Sequence, residues 1–403
     1  MARAVDVAIA GSGPAGTTLA LLLGRAGLQV DVYDARRFPR EKPCGEGILP
    51  AGVAVLDRLG LREAVGGRAL QSVRYHGFGV TAESPFGRGA VALGQRRLRL
   101  DQALLDAARA TPGVTVFEDA EVSGVERAGG RAVGLRVGGE VRRAALVVGA
   151  DGLASRVRRS LDLDVPAPGR RVGARMHFRL AAGRDPGDRL SIFIGRGHEL
   201  YAAPLPDGQL LLAGLADQEE WAQGARRVLR RWILDEPVLR QLLDGAEPLT
   251  SPAGRTGLAR QARAGWAPGA VLLGDAAAST DPLTAGGLAH ALVTAERLAA
   301  AVPAYLAEGD AALARFDRER RRLLRPHAWL TRGLVAIVRQ PLLARATLHV
   351  MRAVPPLIRG LVGVAAGTSI QAPRMVAASS SPALAINSAT DQNAILPQRL
   401  GSP

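Results

Sequence analysis

Gly11-Ser12-Gly13-Pro14-Ala15-Gly16 follows an apolar run, Val5 to Ala10, and precedes a helical pattern, Ala15 to Ala26. A second apolar run, Val30 to Tyr33, ends at Asp34. Strand, glycine turn, helix, strand and acid stand in the order of a dinucleotide-binding unit. The first glycine permits the tight turn, the second lets backbone approach a pyrophosphate, and the third lets the helix pack closely on the strands. Unpaired N–H groups and the positive end of the helix dipole would face the phosphates. Gly11, Gly13, Pro14, Ala15 and Gly16 are therefore expected cofactor-binding residues, and Asp34 is placed to accept hydrogen bonds from an adenosine ribose. The turn alone does not say which dinucleotide.

The chain has 403 residues, enough for a sizeable core and two interleaved domains. Asp6 interrupts the first apolar run, so the N-terminus does not read as a secretory leader. No uninterrupted apolar stretch is long enough to span a bilayer. Cys44 is the single cysteine, which excludes an internal disulfide framework and suits a reducing cytoplasm. Net charge is +15, and of the 52 lysines and arginines only Lys42 is a lysine. A GC-rich coding bias accounts for that swap. No zinc knuckle, helix-turn-helix or aromatic-studded basic groove is present, so neither nucleic acid nor a bound metal is expected.

Past Asp34, prolines and glycines make the segment to Pro50 a loop. A helix over Gly52 to Leu59 is closed by Gly60, and Ser72 to Val80 reads as a strand. Leu100, Leu104 and Ala108 give a buried face to a helix ending near Ala110. Short strands are expected at Val114 to Phe117, Ala120 to Glu126, Ala132 to Val137, Glu140 to Val141 and Leu146 to Val148. Arg170 to Leu215 alternates like an antiparallel sheet, and Glu219 to Leu243 is a helical excursion. Ala270 to Leu273 is a buried strand, and a helix runs from Leu288 to about Ala301.

Three separated motifs now stand together: Gly11 to Gly16, Gly149-Ala150-Asp151-Gly152, and Gly274-Asp275-Ala276-Ala277 followed by Asp281-Pro282. With this order and spacing, Val5 to Ala301 resembles the para-hydroxybenzoate hydroxylase-like superfamily of FAD-dependent oxidoreductases. The resemblance implies an α/β fold, with a Rossmann-type FAD-binding domain interleaved with an antiparallel-sheet substrate domain, then C-terminal helices. The segments read as FAD-binding are 1–75, 95–168 and 255–301; the sheet domain takes 76–94 and 169–254; basic helices take 302–367 and a disordered tail 368–403. In that family an arginine at the offset of Arg97 touches the cofactor, with Arg96 the competing assignment. Gly274 and Asp275 would reach the ribityl chain or a phosphate-side group. The N–H groups at Gly286 and Gly287 would stabilise negative charge on the reduced flavin ring. Asp151 either braces the FAD loop or is a turn acceptor with no ligand.

Lys42-Pro43-Cys44-Gly45-Glu46-Gly47 looks like the loop of the geranylgeranyl and menaquinone reductase branch, and related loops occur in bacterial monooxygenases of secondary metabolism. Cys44 is either catalytic or a small packing residue. Glu46 is either a proton donor or a plain loop carboxylate. The aromatic-rich Tyr-x-Trp-x-Phe-Pro strand of that branch is reduced here to Tyr201 and Pro204. The following Pro204-Leu205-Pro206-Asp207-Gly208 turn looks like hydroxylases of quinone-type rings, and the Trp-x-Trp-x-Ile-Pro signature of halogenases is absent. His177, His198 and Tyr201 offer polar handles for a ring oxygen, while Cys44, Glu46, Tyr201 and Pro282 are the candidate catalytic positions.

The resulting expectation is an FAD-dependent, NAD(P)H-driven monooxygenase. It hydroxylates or epoxidises an apolar aromatic, quinone- or quinolone-like compound of secondary metabolism, prenylated or not, with molecular oxygen. The alternative is a reductase of prenyl double bonds, and a third reading is a non-catalytic flavin-binding accessory protein. Between 320 and 390 the chain has no acidic residue, and arginines recur among apolar residues. Those helices suit either the surface of an anionic membrane at the inner face or a cap on the FAD domain with arginines in water.

Overall fold

The central parallel sheet exists because its strands are apolar on both sides, as strands buried between helices must be. Val5–Ala10 lies between Val30–Tyr33 and Glu140–Gly149, with Ile9 opposite Val32 on one side and Val148 on the other. Val114–Phe117 extends the sheet at one edge and Ala270–Leu272 at the other. The computed structural model describes residues 4–166 and 171–368; of the expected tail over 368–403, all but Thr368 lies outside the described residues.

Glu140–Gly149 is one strand of 10 residues, not the two short strands expected. Its first half pairs antiparallel with Arg131–Val137, and its second half joins the parallel sheet. The polar Arg142 and Arg143 mark the change of partner, and in sequence they look like a break.

The second sheet runs in the order Glu247–Pro248, Arg171–Arg179, Gln209–Asp217, His198–Pro204, Arg189–Ile194, Ser72–Gly77, Val80–Pro85. Ser72–Gly77 pairs parallel to Arg189–Ile194, and Ala253–Thr256 pairs with Arg171–Arg179. The breaks expected at 75/76 and 254/255 therefore fall inside strands of this sheet. Partner choice across more than a hundred residues leaves no local mark. The sheet has two faces, following the period of two. Leu200, Ala202, Leu210 and Leu212 face the Ala225–Asp235 helix and its Trp232. Leu190, Tyr201, Leu211 and Leu215 face the FAD-binding part.

Four helices position the site. Pro14–Arg25 begins at the glycine turn, with Pro14 at its first position where no N–H is needed. Arg97–Arg109 buries Leu100, Leu104 and Ala108 against the core. Gly287–Glu308 runs past the expected end near Ala301, through Pro303, because Val302 and Tyr305 stay packed on the parallel sheet. Asp310–Val338 then leads to Pro341–Ala353 and Pro355–Ala366, each opened by a proline.

Candidate functional site

The three glycines of the first turn meet three different surroundings. Gly11 has φ +98, and a Cβ there would lie 2.5 Å from the carbonyl oxygen of Ala150. A Cβ on Gly16 would collide with the carbonyl oxygen of Gly11. A Cβ on Gly13 would meet nothing nearer than Arg40 Nη2 at 4.0 Å. Gly13 thus faces open space where the other two face backbone. It is also the N-cap of Pro14–Arg25, with no side-chain hydrogen bond to the helix end. This uncapped terminus fits a dinucleotide pyrophosphate. Asp34 is fixed beside it: Oδ2 accepts the N–H and hydroxyl of Ser12, each at 2.8 Å, and Oδ1 accepts the Arg36 N–H at 3.0 Å.

From Gly13, Pro14 and Ala15 one cavity continues past Lys42 and Arg97 to Gly274, Asp275 and Gly152. Arg97 lines it; Arg96 instead pairs with Glu41. Arg97 is buried and holds Asp101 through two hydrogen bonds of 2.7 Å. Against the cost of burial, Asp101 and then Cys44 hold its guanidinium above the ordinary range. Burial and the neighbouring Arg97 push the Lys42 ammonium down, while Asp275 works the other way. Asp151 Oδ2 accepts the N–H groups of Arg156 at 2.7 Å and Val157 at 3.2 Å, the turn-acceptor arrangement.

At the far end, Asp281 caps a short turn, accepting the Leu283 N–H at 3.1 Å, and Pro282 lines the cavity. Gly286 is the uncapped N-terminus of Gly287–Glu308. A Cβ on Gly286 would collide with His327, whereas one on Gly287 would meet nothing within 4 Å. A second helix terminus therefore points into the same cavity, where a flavin ring would gain N–H donors.

The Cys44 loop lies between these ends. Glu46 is buried and has φ 54, a left-handed conformation that a non-glycine residue adopts only under constraint. Its N–H donates to Cys44 Sγ at 3.4 Å, its carbonyl accepts the Gln95 N–H at 3.0 Å, and its Oε1 accepts the Arg97 N–H at 3.1 Å. Its Oε2 stands 2.7 Å from Nε2 of the buried His177, whose Nδ1 is 3.2 Å from Thr250 Oγ1. Arg175, beside His177, reaches Glu41. A carboxylate from the flavin side and an imidazole from the substrate sheet thus share a hydrogen bond away from water.

Tyr201 lines the cavity, but its hydroxyl donates to the carbonyl of Leu283. The expected handle for a ring oxygen is therefore a brace on the Pro282 turn. His198 stacks on Trp232 at 4.2 Å, on the opposite face of the sheet, so it is no handle either. Between the two helix termini and the sheet, the cavity wall includes the apolar Gly173, Leu190, Ala213, Leu215 and Leu258, interrupted by Arg175, Tyr201 and Arg255. A second buried cluster closes its other edge: Arg171 bridges Glu199 and Asp281.

Sequence reading singled out Glu46 and His177 separately and missed the pair. The signal lay in Arg171, Gly173, Arg175 and His177, which alternate onto one face of a strand whose other face is apolar. Lys42, the first residue of the Cys44 loop, lines the cavity without having been a candidate binding residue.

A family model described as the FAD binding domain matches residues 4–329. The chain belongs to that family. Gly13, the two uncapped helix termini and the Lys42–Arg97 end of the cavity fit FAD. A menaquinone reductase of Mycolicibacterium smegmatis is 44% identical over 82 residues, so the chain matches about a fifth of that relative's length. A 6-methylpretetramide 4-monooxygenase of Streptomyces rimosus is 36% identical over 38% of this chain and 40% of its own. A digeranylgeranylglycerophospholipid reductase of Methanopyrus kandleri is 28% identical over 77% of this chain and 80% of its own. Among solved structures, a flavoprotein/dehydrogenase from Cytophaga hutchinsonii superposes with a TM-score of 0.79 at 22% identity, covering 90% of this chain and 93% of its own. The chain accordingly carries the FAD binding domain of this family, on a fold shared with a known flavoprotein.

Burial also gives the fold a pH signature. His290 and His327 lie edge to face, with ring centres 4.2 Å apart behind Gly286. Burial holds His76 and His327 down to about 4 and His290 to about 3, below the ordinary 6.5. Burial pushes Glu199 the other way, up to about 7 against the pull of Arg171. The unfolded chain protonates each of the three imidazoles below 6.5 and the folded one does not. Their contribution is full above that pH and is lost as pH falls. Glu199 favours its protonated form in the fold, so it gains as pH falls from about 7 toward 4.5. His198 is held down by burial in the same way, so the imidazoles outweigh Glu199 and the fold loses stability as pH falls through this window. The melting temperature of the holoprotein should fall steadily from pH 6 to 5, and a constant or rising value would contradict the assignment.

Proposed function

We propose that this protein is an NAD(P)H-driven FAD monooxygenase that hydroxylates or epoxidises an apolar aromatic compound of quinone or quinolone type, prenylated or not. The observation that carries this reading is the apolar patch of Gly173, Leu190, Ala213, Leu215 and Leu258 in the same cavity as the second uncapped helix terminus. When bound, FAD supplies hydride acceptance from NAD(P)H and activation of dioxygen. The chain's own residues bind, orient and exclude water. Gly13 and the Pro14–Arg25 terminus hold phosphates, and the N–H groups after Gly286 favour negative charge on the ring. Tyr201 fixes the Pro282 turn against the sheet. Glu46 and His177 hold a proton between Oε2 and Nε2 at the cavity edge, where it can be taken from or given to a substrate oxygen.

A reductase of prenyl double bonds is the second reading. It is favoured by Glu46, a cavity-lining carboxyl beside Cys44 that could protonate a carbon, and by the reductases among the relatives. To separate the two, the holoprotein is reduced under nitrogen with NADH or NADPH, mixed with lipophilic quinones, quinolones and polyprenyl compounds, and exposed to isotopically labelled dioxygen. Label in the product supports the monooxygenase. A product gaining two hydrogens without label, before oxygen is admitted, overturns it in favour of the reductase.

A further inference from the structure

The C-terminal helices carry two unlike faces. On the inner one, Leu348, Met351, Ile358 and Val362 are buried against the substrate sheet and the core beneath it. The two readings of this segment as cap and as membrane contact are therefore not exclusive, because the outer face is also apolar. Leu342 is 84% exposed and Leu343 55%, and Val350, Val354 and Leu357 are exposed as well. Leu343, Val350 and Leu357 repeat every seven residues, and Trp329 of the preceding helix is 61% exposed. Single exposed apolar residues need no explanation, but six of them within 29 positions, 329 to 357, form a surface.

Charge runs alongside. Arg345, His349 and Arg352 occupy the neighbouring arc of the Pro341–Ala353 helix, and all three are exposed. No aspartate or glutamate occurs from 320 to 367. Among the described residues, none of Arg332, Arg345, Arg352 and Arg359 pairs with a carboxylate. Arg359 instead donates to the Pro355 carbonyl at 3.3 Å.

We propose that this face docks the enzyme on the surface of an anionic lipid bilayer. Leu342, Leu343 and Trp329 would enter the headgroup boundary, and the arginines would meet lipid phosphates. No single described helix is long and apolar enough to cross a membrane, and the two short helices are bent by 108° at Val354. Crossing would also strip Leu348, Met351 and Ile358 from the core, so the pair lies on the bilayer. A second copy of the chain is a poor occupant, since it would bring arginines against arginines with no acid between them. The substrate sheet lies directly beneath these helices, so docking would set the substrate compartment against the lipid phase.

The test is flotation of the full-length holoprotein with phosphatidylcholine vesicles, with or without abundant phosphatidylglycerol. The protein should float with the anionic vesicles at low salt and be released by high salt. The double variant Leu342→Asp/Leu343→Asp should stay in the soluble fraction with unchanged flavin content and melting temperature, because these side chains lie outside the core. Arg345→Ala and Arg352→Ala should each weaken partitioning about fivefold. Wild-type tryptophan emission should shift to the blue on binding, and Trp329→Phe should remove that shift. Wild type left with the soluble fraction at low salt overturns the proposal. So does an aspartate double variant that floats like wild type. Loss of a dimer in that variant, without any change in flotation, would assign the face to self-association instead.

Discussion

Gly13→Ala protein should fold but purify without flavin, whereas Gly16→Ala protein should fail to fold. The contrast follows from what each added methyl would meet. At Gly16 it strikes the carbonyl oxygen of Gly11, and backbone cannot move aside as a side-chain tip can. Overpacking against backbone at a helix start should destabilise by about 3 kcal/mol or more. At Gly13 the backbone is already extended, with φ −71 and ψ 178, which alanine adopts freely. The methyl there meets nothing nearer than Arg40 Nη2 at 4.0 Å and occupies only the space in front of the helix end. FAD affinity should fall by about a hundredfold, on the order of 2.7 kcal/mol, while the apoprotein melts as wild type does. Flavin absorbance per mole of protein and thermal denaturation of both variants provide the check. Full flavin content in Gly13→Ala would place the pyrophosphate elsewhere.

Glu46→Gln should lower turnover by about a hundredfold or more with flavin content intact. The amide keeps the shape of the side chain and an oxygen for the Arg97 N–H, so the loop retains its contacts. What it loses is the capacity to exchange a proton with His177 across 2.7 Å. A merely structural Glu46 would show a changed melting temperature and unchanged turnover in the surviving protein. A proton-holding Glu46 shows the reverse: turnover falls while the melting temperature stays at the wild-type value. Unchanged turnover across the pH range would remove Glu46 from the chemistry. Cys44→Ser, which keeps an acceptor for the Glu46 N–H, should leave turnover within about threefold if Cys44 serves the loop rather than the reaction.

The cofactor half of the site was legible because its elements are local. Gly11, Gly13 and Gly16 lie within one turn, and Asp34 follows at the end of the next strand. Gly286 and Gly287 announce a helix start as plainly as Gly13 does. The substrate half was legible only in part. Glu46 and His177 are 131 residues apart, and their meeting depends on how the second sheet closes over the first. Arg171, Glu199 and Asp281 come from three segments, and none of them is marked by its neighbours. Tyr201 was placed correctly at the cavity wall, but the carbonyl that engages its hydroxyl lies 82 residues downstream. Side-chain alternation shows which face a residue takes, not which group waits there.

Lys42 lines the cavity together with Gly13 and Arg97 and is the one side-chain amine in the chain. An amine-directed acylating reagent therefore has only this side chain and the α-amino group to modify. Burial and Arg97 favour its neutral, nucleophilic form, so it should react at lower pH than a lysine in water. A nucleotide in the cavity would shield it. The mass of one tryptic peptide thus becomes a gauge of cofactor occupancy, readable in protein that has never turned over a substrate.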